Sequence, residues 1–171
     1  MRKIFGYVRI STKKQSIERQ IKNILQLYPK ADIKSEVYTG RKTAGRSVWT
    51  SLYNEVKEGD TIVFDEVSRM SRDAKEGFKL YKELFTRGVN LVFIKEPHIN
   101  TDTYRNALKN TINVDVNTAD ENAAKLLTDI FEALNIYMMR LAEESIRLAF
   151  QRSQAEVDYL LSVQKRDFVK L

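Results

Sequence analysis

Cysteine is absent from these 171 residues, and histidine occurs once, as His98. A disulfide framework and a thiolate metal site are thereby excluded, and a single imidazole cannot form the histidine cluster that zinc chemistry needs. Proline is rare, and the six glycines stand at positions 6, 40, 45, 59, 77 and 88. Their spacing matches neither the GxGxxG of a dinucleotide fold nor the GxxxxGK of a phosphate loop, so ordinary NAD and NTP sites are disfavoured. No apolar run approaches the length of about eighteen residues that a membrane helix requires. The opening MRKIFGYVRIS is too short an apolar run for a signal peptide and carries Arg9 within it, so insertion and secretion are not expected.

What is present suits a folded protein. Apolar residues make up 43% and charged residues 30% of the chain, enough to bury a core and unlike the composition of a disordered chain. The length has room for one α/β domain with a long appendage. Lysine and arginine number 29 against 23 acidic residues, for a net charge of +6. That balance fits a polyanionic partner and equally fits a generic basic surface.

Apolar periodicity organises the first hundred residues. KIFGYVRI (3–10), DIKSEVY (32–38), TIVF (61–64) and NLVFIK (90–95) read as strands. Between them lie helical patterns carrying Ile17, Ile21 and Ile24, then Val48, Leu52 and Val56, then Ala74, Phe78, Tyr81 and Phe85. Such alternation predicts an α/β fold: a mainly parallel sheet of about four or five strands with flanking helices, and functional loops beyond the strands' C-terminal ends. Residues 1–102 would form this core. The polar stretch 103–122 has no regular apolar period and is expected as a loop or insertion, or as a marginal helix. From about 123 to 165 glycine and proline are missing, and Leu127, Leu134, Leu141 and Leu148 recur every seven residues. One long helix over 123–171 is the simplest reading, two shorter helices folded back the alternative. A single helix of that length overhangs so small a core, so Leu127, Phe131, Leu134, Met138 and Leu141 are expected to pack largely on another subunit.

Hydroxyls and arginines collect at the strand ends. Tyr7, Arg9 and Ser11 alternate along the first strand and so project to one side, which delivers the serine to the strand's C-terminal mouth. Beyond the third strand come Ser68, Arg69, Ser71 and Arg72, with the two arginines three residues apart. Guanidinium groups aimed at one place match phosphate oxygens, and a serine beside them can act as a nucleophile. Blander roles exist for each residue. Thr12 with Gln15 fits a capping box, Arg69 and Arg72 have Asp65, Glu66 and Asp73 nearby for surface ion pairs, and Asp65 with Glu66 is a conceivable magnesium pair.

Taken together, GYVRIST with Gln15 and Gln20 downstream, then GDTIVFDEVSRMSRD, then GVNLVFI, resembles the catalytic domain of the serine recombinases, the resolvase and invertase family. The resemblance implies DNA cleavage by a serine that becomes joined to a 5′ phosphate, strand exchange and religation. It implies Ser11 as the nucleophile, Arg9, Arg69 and Arg72 as phosphate-activating arginines, Gln20 as a polar neighbour, and Arg46 in TAGRSVW as a further arginine. Tyr7 belongs to the same motif. No metal or other cofactor is implied. The implied partners are double-stranded DNA and further copies of the chain, a homodimer that becomes a tetramer in the synaptic complex. The implied setting is the cytoplasm of a bacterium, with a phage or mobile element as the source.

The sequence also departs from the family. Ser68 stands where aspartate is common, and Tyr38, Thr39 and Gly40 stand where the end of the second strand often carries one. A helix-turn-helix domain is not expected within this chain. These departures leave room for a non-catalytic, DNA-associated oligomerisation module with a decayed site.

Overall fold

A computed structural model of the chain describes residues 2–10, 17–37, 46–71, 73–111 and 121–168, without the side chains of 107–111, 121–124, 127 and 164–168. Four parallel strands, β1 (Ile4–Ile10), β2 (Asp32–Val37), β3 (Thr61–Phe64) and β4 (Asn90–Phe93), form one sheet in the order β2-β1-β3-β4. Parallel neighbours need crossovers, which α1 (Ile17–Leu27), α2 (Ser47–Glu55) and α4 (Ala74–Thr86) supply, with the single turn α3 (Val67–Met70) between β3 and α4. The expected α/β class, strand count and helix order are those observed.

Alternation along β1 fills both faces of the sheet. Val8 packs with Val63 and Ile24 of α1 on one side, while Phe5 and Tyr7 join Trp49, Leu52, Phe64, Tyr81 and Phe93 on the other. Helix α1 can approach because Gly6 has no side chain: a Cβ there would lie 2.6 Å from Ile33 Cδ1 and 2.8 Å from Ile24 Cγ2. Since β1 and β3 are adjacent while their chains leave toward opposite edges, the strand order reverses between them. In open α/β sheets the crevice at such a reversal, beyond the strands' C-terminal ends, is where ligands bind.

Over 103–122, expected as a loop, an insertion or a marginal helix, the described part is helical. A 3-10 turn (Pro97–Ile99) leads into the helix α5 (Thr101–Thr111); residues 112–120 lie outside the described residues. This helix is seated by the buried Tyr104 and by Arg105, which donates to Asn90 Oδ1 and to the Phe85 and Val89 carbonyls and stacks 4.8 Å over the Phe85 ring.

The single long helix is α6 (Glu121–Phe168), whose 48 residues extend about 72 Å. Ala142, Ile146, Ala149 and Phe150 join the sheet's core, and Phe150 lies against Gly77 of α4, where a Cβ would stand 3.0 Å from its ring. Of the side chains expected against another subunit, Met138 packs on the chain's own core, Phe131 and Leu134 are half-buried, and Leu141 is exposed. The Leu127 side chain lies outside the described residues.

Candidate active site

The reversal point is lined by the end of β1, the end of β3 and α3. A one-turn helix cannot satisfy its own last carbonyls, and here two buried arginines from elsewhere do so. Arg9, at the end of β1, donates through Nε to the Arg69 carbonyl at 3.2 Å and through Nη2 to the Ser68 carbonyl. Arg46, just before α2, donates through Nη1 to the Met70 carbonyl at 2.6 Å and through Nη2 to the Arg69 carbonyl at 3.3 Å. The first and second motif segments, with Arg9 and Arg69 sixty residues apart in the chain, thus meet through the guanidinium of Arg9.

Gln20 of α1 secures the same end of β1. β3 stops pairing at Phe64, opposite Tyr7. Two residues on, the Gln20 amide takes over the role of a strand neighbour: Oε1 accepts from the Arg9 N–H at 3.4 Å, and Nε2 donates to the Arg9 carbonyl at 3.3 Å.

Tyr7 is wholly buried, and its hydroxyl donates to Glu36 Oε2 at 2.6 Å while accepting from Arg46 Nη2 at 2.7 Å. Burial, against the opposing Arg46 charge, pushes the phenol well above its ordinary value, so it remains a donor. Glu36 also lies 3.5 Å from Arg46 Nε, and its Oε1 accepts from the Val48 N–H at the start of α2. The Arg46 guanidinium rests 5.2 Å from the Tyr7 ring and 5.1 Å from that of Trp49. Arg46 therefore knits β1, β2, α2 and α3 together.

Arg69 turns its own guanidinium the other way, toward Glu66: Nη2 is 2.7 Å from Glu66 Oε1. Ser68 Oγ donates to that same oxygen, and Lys95 Nζ lies 2.6 Å from Glu66 Oε2. Burial alone would raise the Glu66 carboxyl; the charges of Arg69 and Lys95 and the Ser68 hydroxyl outweigh it and hold the group below the usual carboxylate range. Asp65 is fully buried, with Oδ1 accepting from Asn23 Nδ2 at 2.8 Å and Oδ2 3.9 Å from Lys95 Nζ. The two carboxylates considered as a magnesium pair are thus engaged by protein donors, and no grouping suited to a metal ion occurs among the described residues.

Of the residues singled out from the sequence, Arg9, Arg46 and Arg69 come together around α3, Gln20 braces them, and Tyr7 lies in the core beneath. Ser11 and Arg72 lie outside the described residues, as do Thr12, Gln15, Tyr38, Thr39 and Gly40. Sequence reasoning passed over Glu36, Lys95 and Glu96. Glu96 Oε2 accepts from the Val67 N–H at the start of α3. The one available signal was position: each stands at or just beyond the C-terminal end of a strand.

The chain is similar to known proteins. The profile of the family described as "Resolvase, N terminal domain" matches residues 4–158. The Transposon Tn3 resolvase of Escherichia coli is 36% identical over 101 residues, covering 58% of this chain and 54% of that protein. A resolvase of Clostridium perfringens is 29% identical over 101 residues, covering 58% and 53%. The chain spans about half the length of the curated relatives it matches. Among solved structures, the N-terminal catalytic domain of TP901-1 integrase aligns with a TM-score of 0.49 at 20% identity, over 82% of this chain and 98% of that one.

Proposed function

Because this chain belongs to the resolvase N-terminal domain family, we propose that it is the catalytic part of a site-specific recombinase that cuts and rejoins duplex DNA through Ser11. The observation that carries this reading is the meeting of the two motif segments at the sheet's reversal point, with Arg9 holding the backbone of Ser68 and Arg69. In the sequence Ser11 follows Arg9 by two residues and Arg72 follows Arg69 by three.

In the proposed step the Ser11 oxygen attacks a DNA phosphorus. The serine hydroxyl gives up its proton, a bond from serine to the 5′ phosphate forms, the bond to the 3′ oxygen breaks, and the leaving 3′ oxygen takes up a proton to become a hydroxyl. Guanidinium groups of Arg9, Arg69 and Arg72 neutralise charge on the non-bridging oxygens of the five-coordinate transition state. The ester retains the phosphodiester bond energy, so attack by a 3′ hydroxyl reseals the strand without ATP. Duplex DNA and further copies of the chain, a dimer that pairs into a tetramer, are the partners of this reaction.

The test is a covalent adduct. The chain is incubated with a random-sequence pool of duplex DNA, stopped with denaturant, digested and mapped by mass spectrometry. The expected result is a nucleotide-bearing peptide containing Ser11, formed with or without chelator and lost in Ser11→Ala. No adduct from the unsubstituted chain, or one that survives Ser11→Ala, overturns the reading.

A further inference from the structure

We infer that Glu66 is a positioning residue for the proposed cleavage reaction, fixing the guanidinium of Arg69 through a carboxylate that Lys95 and Ser68 hold in turn. The inference rests on the recombinase reading above and adds to it a residue to which the resemblance assigns no role.

Glu66 is 8% exposed and is reached by donors from three directions. Arg69 approaches Oε1 from α3 at 2.7 Å, Ser68 donates to the same oxygen, and Lys95 approaches Oε2 from the end of β4 at 2.6 Å. A carboxylate held at both oxygens cannot swing, so its partner is fixed as well. Arg69 depends on that. Arg9 and Arg46 are anchored by backbone carbonyls, whereas among the described residues the Arg69 guanidinium has Glu66 as its one hydrogen-bonding or ionic partner, and its buried Nε has none. Without Glu66 nothing described would choose among the rotamers of Arg69.

Lys95 has a second consequence. A lone Glu66–Arg69 pair would be neutral and would cancel the attraction that a phosphate should feel. Lys95, which also lies 3.9 Å from Asp65 Oδ2, brings a second cation to Glu66, so the carboxylate is shared between Lys95 and Arg69 while the geometry stays fixed. Glu66 therefore orients Arg69 without claiming its whole charge. The opposite role, a carboxylate competing with phosphate for Arg69, predicts the opposite outcome on removal.

The experiment compares the full chain with Glu66→Gln and Glu66→Asp in three measurements: the rate of adduct formation with the random duplex pool, DNA affinity by fluorescence anisotropy, and the Arg69 Nε–Hε resonance by NMR. Glu66→Gln should slow adduct formation by about 10- to 100-fold, the scale expected of a displaced catalytic group, with DNA affinity changed by less than about 2-fold and the Arg69 resonance moved. Glu66→Asp keeps the charge on a shorter reach and should recover part of the rate. It also keeps the test decisive if Glu66→Gln does not fold, since it should then be slower than the unsubstituted chain with the Arg69 resonance shifted. An unchanged or raised rate in a folded variant, or an unmoved Arg69 resonance, overturns the role of Glu66 and leaves the recombinase reading standing. No adduct from the unsubstituted chain overturns both.

Discussion

Asp60 ties the start of β1 to the turn before β3: its Oδ1 accepts from the Lys3 N–H at 2.8 Å and its Oδ2 from the Lys57 N–H at 3.0 Å. Burial alone would raise its carboxyl, but the two backbone donors, with the charges of Lys3 and Lys57, hold it below its ordinary value. A carboxyl depressed by folding contributes stability above its unfolded value of about 3.9 and loses that contribution as pH falls through the folded value. Asp60→Asn should therefore unfold at lower urea concentration than the unsubstituted chain at pH 7, and the gap should close below about pH 4. A gap that stays constant from pH 7 to pH 3 would contradict this account. Other single residues were unequally legible. The period-two placement of Tyr7 and Arg9 is a local property of a strand and needs only the sequence. The partners of these groups do not follow from it. Glu36, buried between Tyr7 and Arg46, looks in sequence like any strand-end acid, because burial of an ion pair is decided by the elements that close over it. A surface ion pair with Asp65, Glu66 or Asp73 is the blander sequence reading of Arg69; the pair it makes with Glu66 is largely buried.

At the scale of elements, the strands and helices of the first hundred residues were readable because each has an apolar face with a clear period. α5 was not, and the reason is physical. Among its described side chains Tyr104 and Arg105, the latter on backbone carbonyls, seat it, and the sequence of this stretch has no regular apolar period to announce it. Its approach also solves a problem of the sheet. β4 is an edge strand, and an exposed edge offers unpaired N–H groups to other chains. Here the Phe93 N–H donates to Asn100 Oδ1 at 2.7 Å and the Leu91 N–H to Thr101 Oγ1 at 2.9 Å, so the segment leading into α5 covers the edge with side chains. Asn100→Ala should leave the Phe93 N–H without its acceptor and cost about 1 to 3 kcal/mol. Urea denaturation and amide hydrogen exchange check this, with faster exchange expected at Phe93. An unchanged midpoint with full protection at Phe93 would show that the edge is held by something else.

For the molecule as a whole, the decisive feature is that α6 presents two apolar faces and the core covers one. Ala142, Ile146, Ala149 and Phe150 are buried in the chain's own core. Ile130, Tyr137, Leu141 and Leu148 follow one another by seven, four and seven residues. At 3.6 residues per turn these spacings place them on a single stripe, and all four are exposed at 40% or more. The sequence could not show which apolar residues of the long helix the core would claim: Met138 went to the core and Leu141 did not. Each large apolar side chain left in water forgoes about 1.5 to 3 kcal/mol relative to full burial. A second copy of the chain pairing stripe to stripe would recover this, so the self-association proposed with the recombinase reading predicts an interface at this stripe. Light scattering at high micromolar concentration should return at least a dimer for the unsubstituted chain. Tyr137→Glu combined with Leu141→Glu places two charges on the stripe without touching the buried face, so it should return a monomer with the same cooperative unfolding of the core. A strictly monomeric unsubstituted chain, or a double variant that associates as before, would locate self-association elsewhere or remove it altogether.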